Sequence, residues 1–315
     1  MHRRALSLAI ITSLLLTAVA CARDSEHRTL RIGVLPILDT LPMIVAEDQG
    51  LFQEQGVTVE FIPAASAAER DQLVQTGRVD GIITDLVALG LYNRETPQVV
   101  GLRYAMTPTE EFPQFRIMAS KGANITQPRE LAGVQIGVSE GTVIEYVTDR
   151  LLEAEGLAAS EVETLGVPRI PERMALLRSG ELPAATLPEP LASLALQDGS
   201  LVVVDDTEHP DTSCSIYAFR KSSLDAQPNA VRGFLEAVSQ ASRAINEDKG
   251  RWSDLLAEQN LVPEPLIGSY QLPDYPGDEA PTEAQFADAV EWLLVNDRLS
   301  EEPSYTDAVD AAFLP

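Results

Sequence analysis

Apolar and polar positions alternate along the chain in short blocks that predict strand, helix, strand and helix in turn. Leu30–Leu35 is an apolar run typical of a strand, Leu41–Gln49 has helical spacing, and Val57–Ile62 alternates as a second strand. Short connections between such elements are typical of a mostly parallel sheet with helices on both faces. The pattern therefore predicts an α/β fold.

The rest of this first block follows the same alternation. Ser66 with Glu69 three residues later has the form of a capping box and predicts a helix that runs to about Thr76. The remaining elements are a strand, a helix and a strand, at Gly81–Thr84, Leu86–Tyr92 and Val99–Tyr104.

A second block of the same kind begins near Lys121. Ile136-Gly137-Val138 repeats the Ile32-Gly33-Val34 of the first strand, which indicates repeated architecture. The predicted strands are Val134–Val138, Ala184–Leu187 and Leu201–Val204, and the predicted helices are Thr142–Glu155, Pro171–Ser179 and Pro190–Leu196. The two blocks predict two lobes.

The tail returns to the first block and then becomes helical. A strand at Ser215–Arg220 precedes predicted helices at Pro228–Glu247, 251–259 and 283–296. Two crossings between the lobes would form a hinge with a cleft beside it. The predicted organisation is a signal peptide at 1–20, a tether at 21–29, lobe I at 30–119 plus 216–315 with the helical tail, and lobe II at 120–215.

The first 20 residues read as a secretory signal peptide. Arg3 and Arg4 form a basic head, and the apolar run after them is too short for a spanning helix. Ala18-Val19-Ala20-Cys21 resembles the lipobox of bacterial lipoproteins, with Ala18 where leucine is usual. This resemblance implies lipidation of Cys21; ordinary cleavage that leaves a free thiol is the alternative. The protein is expected to be exported and held by lipid at a membrane surface.

Composition excludes some partners. The chain has 48 acidic against 23 basic residues and a formal net charge of −25. Such a surface repels phosphate backbones and anionic lipid headgroups, so nucleic acid is not an expected partner. Cys214 is the only cysteine besides Cys21, so a lipidated chain has no internal disulfide.

Motifs for catalysis are missing from the sequence. It has no GxSxG, HExxH, P-loop, GxGxxG or CxxC pattern. His209 and Cys214 lie close enough in sequence to suggest a nucleophile pair, but a cysteine at a strand start is more often a small core residue. Asp205-Asp206 could hold a hard cation, although adjacent acids after a strand usually form a solvated turn. The expectation is a protein that is not an enzyme and has no metal or cofactor.

Several phrases in order resemble the substrate-binding proteins of bacterial ABC importers for nitrate, sulfonates, taurine and the pyrimidine precursor of thiamine. They are AEDQGLF, QTGRVDGIITD, PRELAGVQIGVSEGT, LLRSGELPAATLPEP and IYAFRKSSLDAQPNAVRGFLEA. The resemblance spans about Leu30 to Pro315. It implies a type II periplasmic-binding-protein fold, a small-molecule ligand, a permease and its ATPase as partners, and a periplasmic or outer-face location. A monomer is expected.

The resemblance also places the ligand between the lobes, at loops after strand ends and at helix N-termini, where open α/β sheets take ligands. Ser66 and Thr142 are equally interpreted as helix caps alone, and Glu189-Pro190 as a simple helix start. The predicted ligand-binding residues are Leu38, Asp39, Thr40, Ala65, Ser66, Thr84, Asp85, Ser139, Glu140, Gly141, Thr142 and Glu189.

Charge near this cleft favours a particular ligand class. Acids lie in or beside these segments and no Lys or Arg lies in them, which favours a cationic, zwitterionic or N–H-rich ligand such as an aminopyrimidine. A plain anion such as nitrate or a sulfonate remains the alternative, because helix N-termini can hold anions and Arg103, Arg116 or Arg173 could fold into the cleft. The sequence also leaves open an exported enzyme or a sensor module on the same fold.

Overall fold

Residues 28–315 form two five-stranded sheets in the computed structural model of the protein. The strand order is β2-β1-β3-β10-β4 in lobe I and β7-β6-β8-β5-β9 in lobe II. The predicted signal peptide, Cys21 and most of the predicted tether lie outside the described residues. The strands are β1 (Arg28–Val34), β2 (Val57–Pro63), β3 (Gly81–Thr84), β4 (Val99–Met106), β5 (Phe115–Ala119), β6 (Gln135–Val138), β7 (Glu163–Gly166), β8 (Ala184–Pro188), β9 (Leu201–Asp205) and β10 (Ser215–Arg220).

Helices cover the sheets, and none of those described in residues 28–315 is long and apolar enough to cross a membrane. The α-helices are α1 (Leu41–Asp48), α2 (Leu51–Glu54), α3 (Ala67–Gln75), α4 (Leu86–Tyr92), α5 (Val143–Ala154), α6 (Ile170–Ser179), α7 (Leu191–Gln197), α8 (Lys221–Ala226), α9 (Pro228–Glu247), α10 (Ser253–Glu258), α11 (Glu283–Val295) and α12 (Tyr305–Ala308). Short 3-10 turns are Leu38–Thr40, Pro128–Leu131, Ala159–Glu161, Lys249–Trp252, Glu264–Leu266 and Ala311–Phe313.

Strand directions show which edges of the sheets face each other. In lobe I, β2, β1 and β3 are parallel, and β10 alone runs against its neighbours β3 and β4. In lobe II, β5 alone runs against its neighbours β8 and β9. Each reversed strand is the first one after a crossing between lobes. The chain therefore leaves one sheet at its carboxyl edge and enters the other at its carboxyl edge, so these two edges meet at the crossings.

The predicted mostly parallel α/β fold with two crossings is confirmed, but the lobe boundary is not where the sequence placed it. Residues up to 119 were assigned to lobe I, whereas Phe115–Ala119 pairs with β8 and β9 in the lobe II sheet. The polar, proline-containing stretch at 107–114 is the first crossing. The short strand β7 and helix α8 were not predicted; β7 is largely exposed, so it lacks the apolar run of a buried strand.

The helical tail contacts both lobes. Helix α9 packs on lobe I as predicted, with Phe234 stacked on Phe52 of α2 at 5.3 Å between ring centroids. Helix α11 goes further than predicted, because the Trp292 Nε1–H group donates to Asp149 Oδ2 of α5 at 2.7 Å. Tyr146 of the same lobe II helix packs edge-on against the Trp292 ring. One apolar cluster therefore includes residues of both lobes and of α11.

A buried carboxylate joins the two crossing segments. Asp206 has no exposed surface, and it accepts hydrogen bonds from the backbone N–H groups of Gln114 at 2.8 Å and Phe115 at 3.0 Å. The Ser213 hydroxyl donates to the same carboxylate. The interpretation of Asp205-Asp206 as a solvated turn or cation site is wrong for Asp206, since its oxygens are committed to both crossings.

We expect Asp206→Asn to lower the free energy of unfolding by about 2–3 kcal/mol, because an amide NH₂ would face N–H and O–H donors that are buried. Urea unfolding measures this change. Asp205→Asn is the matched control. Asp205 is the last residue of β9, directly before Asp206, but it only accepts hydrogen bonds from Thr207 in a partly exposed turn. An equal loss in both variants would contradict the assigned role.

The same group predicts a pH effect. Burial raises the pKa of Asp206 to about 6 from an ordinary 3.8, partly offset by the Ser213 hydroxyl and two backbone N–H groups. The native state then holds this proton more tightly than the unfolded chain does. The resulting stabilisation is complete below pH 3.8 and is lost as pH rises through 6.

The difference in unfolding free energy between wild type and Asp206→Asn should therefore grow when the pH is lowered from 7 to 5. Urea unfolding at pH 7, 6 and 5 checks it. A difference that stays constant or shrinks would show that the carboxylate is ionised throughout.

Candidate functional site

The turn after β1 places Asp39 between the lobes. Its neighbours Leu38 and Thr40 are structural: the Leu38 carbonyl accepts from the Tyr275 hydroxyl at 2.8 Å, and the Thr40 hydroxyl donates to the Ile37 carbonyl at 2.6 Å. The Asp39 side chain makes no ion pair within residues 28–315, and the Ser215 hydroxyl lies beside it. Burial raises its pKa, and the nearby Ser215 hydroxyl and its own backbone N–H offset part of that rise.

Three tyrosines surround this carboxylate. Burial raises the pKa of Tyr217, Tyr270 and Tyr275, and the charge of Asp39 raises it further in all three. Tyr217 belongs to β10, and its hydroxyl lies 3.4 Å from the Asp39 carbonyl oxygen. Tyr270 and Tyr275 belong to the loop before α11. Asp39 therefore lies near three tyrosines, yet it keeps some accessible surface.

The end of β3 contributes Thr84 and Asp85. The Thr84 hydroxyl is buried and has no hydrogen-bond partner within the described chain. Asp85 caps α4, since its Oδ1 accepts from the Ala88 N–H at 2.8 Å. Burial raises the pKa of Asp85, and the charge of Arg70 is the largest opposing influence. Arg70 is a buried cation of α3 that sequence inspection left out of the site.

Ala65 and Ser66 form the cap at the start of α3. Both are exposed. The Ala65 N–H donates to the Glu69 carboxylate at 2.8 Å, and the Ser66 hydroxyl accepts from the Glu69 N–H at 3.2 Å. These contacts use the groups that a ligand would need, so the interpretation of Ser66 as a cap accounts for it.

In lobe II, the loop from Ser139 to Thr142 is held mainly by its own hydrogen bonds. The Thr142 hydroxyl donates to the Ser139 carbonyl at 2.7 Å and accepts from the Ile144 N–H at 3.2 Å. The Gly141 N–H donates to Glu145 Oε2 at 2.6 Å, and Glu145 pairs with Arg298 at 3.0 Å. Glu140 is exposed. Only Ser139 in this loop connects to a deeper group.

That deeper group is Arg173, a fully buried guanidinium. Its Nη1 donates to the Ser139 hydroxyl and to the Val167 carbonyl, each at 3.0 Å. Its Nε and Nη2 have no partner among the described residues, and no carboxylate balances its charge. Burial therefore lowers its pKa to about 10. Gly137 leaves room for the arginine stem, because a Cβ there would lie 3.2 Å from it.

In lobe II, Glu189 forms an ion pair with Arg116 of β5. The Arg116 Nε lies 3.0 Å from Glu189 Oε1 but without hydrogen-bond geometry, so both atoms stay unpartnered. The other Glu189 oxygen accepts from the Ser193 hydroxyl at 2.6 Å and lies 3.4 Å from the Tyr270 hydroxyl. Burial raises the pKa of Glu189, and Arg116 is the largest opposing influence.

Buried polar atoms without partners concentrate where the lobes meet. Six side chains at the carboxyl edges of the sheets carry such atoms: Thr84, Gln114, Arg116, Arg173, Glu189 and Ser215. They supply four oxygens and three nitrogens, of which Arg116 Nε and Glu189 Oε1 lie 3.0 Å apart in their ion pair. Native proteins leave few buried polar groups unsatisfied, so their concentration at these edges is unusual.

Other candidate features lie elsewhere. A cavity of about 500 Å³ on lobe II is lined by residues of 123–135 and Pro183, and one of about 360 Å³ on lobe I lies beside α8 and the C-terminus. Neither is lined by a predicted ligand residue. Among residues 28–315, no three His, Cys, Asp or Glu side chains gather as metal ligands would. Burial raises the pKa of the Cys214 thiol, and His209 lies 3.7 Å from Glu155 instead.

The fold is shared with solved structures of periplasmic binding proteins. The fold matches the periplasmic aliphatic sulphonate binding protein SsuA from Escherichia coli with a TM-score of 0.75 and 19% identity, over 90% of this chain and 92% of that one. The architecture is thus that of a type II periplasmic binding protein. The sequence model of the NMT1-like family matches residues 23–257, so the chain belongs to the NMT1-like family.

Two sequence relatives match this chain, one over most of its length and one over a short segment. An Escherichia coli protein named for binding aliphatic sulfonates is 21% identical over 272 residues, which cover 85% of this chain and 83% of that protein. The bicarbonate-binding protein CmpA of Synechococcus elongatus is 36% identical over 66 residues, which are 20% of this chain and 15% of CmpA.

Two serines distinguish capping from ligand contact. Ser66→Ala should cost about 1 kcal/mol of stability and leave ligand affinity unchanged, since it removes an N-cap. Ser215→Ala should cost less stability, because its buried hydroxyl lacks a well-formed hydrogen bond, and should weaken binding. Urea unfolding and calorimetry of both variants test this, and a reversed pattern would exchange the two roles.

Proposed function

We propose that the protein is the solute-binding component of an ABC importer, working outside the cytoplasm with a permease and its ATPase. Family membership, the two-lobed fold and the names of the relatives support this role. The single observation that carries it is the cluster of unpartnered buried polar atoms where the two carboxyl edges meet. Closure of the lobes around a solute would satisfy these atoms.

The proposed solute is small, polar and rich in N–H donors, either aminopyrimidine-like or zwitterionic. Four of the seven unpartnered atoms at these edges are oxygens, of which the Gln114 and Glu189 oxygens can only accept. Asp39 adds a carboxylate with no cation beside it, near the partly exposed ring of Tyr270, which favours flat or cationic groups. A nitrate, sulfonate or bicarbonate ion would place its charge against that carboxylate.

A plain anion is the second candidate, since the relatives named above bind sulfonates or bicarbonate by their names. Arg116 and Arg173 favour it. An enzyme or a sensor on this fold receives no comparable support, because no nucleophile and base pair lies in the cleft among the described residues.

Calorimetry against thiamine-precursor aminopyrimidines, taurine, alkanesulfonates, nitrate and bicarbonate tests the ligand class. We expect the aminopyrimidines or taurine to bind. At a hundredfold excess over Kd the bound form should melt about 5–10 °C higher. Binding of alkanesulfonates or nitrate without either nitrogenous class would contradict the donor-rich assignment, and failure of every compound would count against the importer role.

We also propose that Cys21 carries the lipid that holds the protein at the membrane. The lipobox-like Ala18–Cys21 supports this, and the family match begins just after it, at residue 23. Cys21→Ser should move the exported protein from the membrane fraction to the soluble one, as fractionation and immunoblotting would show. Cys214→Ser is the matched control and should stay with the membrane; equal behaviour of both variants would contradict the anchor.

A further inference from the structure

Charge is unevenly paired on the two sides of the cleft. Three of the acids near it have a cation: Asp85 has Arg70 nearby, Glu145 pairs with Arg298, and Glu189 pairs with Arg116. Asp39 has none among residues 28–315. Asp39 is thus an acid that the described residues leave without a counter-ion, and it keeps some accessible surface.

The surroundings of Asp39 suit a cation with N–H groups. The hydroxyls of Tyr217 and Tyr275 point to backbone carbonyls, so they do not neutralise the carboxylate. Of the three rings only that of Tyr270 is partly exposed, and the Ser215 hydroxyl supplies a further acceptor. An ammonium or amidinium group would find a counter-charge and acceptors together.

In lobe II the group with unused bonding capacity is a cation. Arg116 is 16% exposed, and none of its N–H groups makes a hydrogen bond within residues 28–315. Its only ionic contact is with Glu189, whose other oxygen is already bonded by Ser193. A planar guanidinium with its fork unused fits a carboxylate, sulfonate or similar acidic group.

Arg173 adds to this positive side. It reaches the same carboxyl edge of the lobe II sheet through Ser139, and its charge has no acid beside it. Strands β6 and β5 are separated only by β8, so they lie about 10 Å apart and bring the two arginines to one sheet edge. Glu189 pairs with Arg116, and no acid pairs with Arg173 among residues 28–315.

Tyr270 shows that the two sides face one space. Its hydroxyl lies 3.4 Å from Glu189 of lobe II, while Phe112 of the first crossing packs edge-on against its ring at 5.8 Å. Glu189 in turn lies 3.0 Å from Arg116, and the charge of Asp39 also acts on the Tyr270 phenol. A solute that contacts Tyr270 would therefore lie near both charges.

We infer that the solute is a zwitterion, with its cationic nitrogen on Asp39 in lobe I and its acidic group on Arg116 in lobe II. This inference rests on the proposed solute-binding role and narrows it. A simple anion would leave Asp39 unpaired and would lie close to its negative charge. A simple cation would leave the paired N–H groups of the Arg116 guanidinium unused. Only a two-ended ligand pairs both walls, and it would draw the lobes together.

The test begins with a thermal-shift screen of amino acids, aminosulfonates and zwitterionic aminopyrimidine carboxylates. Each is paired with its desamino and its decarboxylated or desulfonated analogue, as taurine is with ethanesulfonate and ethylamine. Zwitterions should give the largest shifts. Calorimetry then compares the best zwitterion and its two analogues on wild type, Asp39→Asn and the double variant Arg116→Gln/Glu189→Gln, which removes the ion pair as a unit.

Each variant should weaken the affinity for the zwitterion at least about tenfold. Asp39→Asn should leave the desamino analogue unaffected or improved, and the double variant should leave the analogue without an acid unaffected. Arg116→Lys keeps the charge balance with Glu189 but loses the fork, and it replaces the double variant if that protein does not fold. Unliganded melting temperatures and circular dichroism control for folding.

Tightest binding by a singly charged or neutral compound would overturn the inference, as would a zwitterion whose affinity neither variant changes. Either result would leave the importer role standing, because a solute still binds. A screen in which no compound binds would instead count against the proposed function.

Discussion

The structure depends on how the chain passes between its lobes. Both passages start and end at carboxyl edges of the sheets, and this is why β5 and β10 run against their neighbours. Because those edges carry the loops after the strands, the same geometry gathers side chains distant in sequence into one cleft. Asp206 holds the passages together from a fully buried position, so a single carboxylate supports the place about which the lobes would move.

The cleft separates charges that stabilise the fold from charges that do not. Glu145 with Arg298 and the cap of Asp85 on α4 are satisfied within the protein. Asp39 and Arg173 are not, and burial shifts the pKa of each toward its neutral form. Such groups cost stability in the unliganded protein. The presence of both groups at the facing edges of the sheets is understandable if ligand binding offsets that loss of stability.

Much of the fold could be predicted from the sequence, because apolar runs and caps are local signals. Strand Gly81–Thr84 and helix Pro228–Glu247 have the predicted bounds. Strand β5 was missed because it is defined by its pairing with β8 and β9, which are distant in sequence. In the site, Asp39 and Glu189 were named but Tyr270 was not, since a residue before a tail helix reaches the cleft only through tertiary packing. Counting charges by segment also overlooked Arg70, one helical turn beyond Ser66.

Helix α11 gives the molecule an optical property. Of the two tryptophans, Trp292 lies at the junction of the lobes, hydrogen-bonded to Asp149, while Trp252 is enclosed within lobe I. Any rotation of lobe II would change the polarity and the quenching around one indole and leave the other as an internal reference. The protein therefore carries its own fluorescent reporter of opening and closing, without a label.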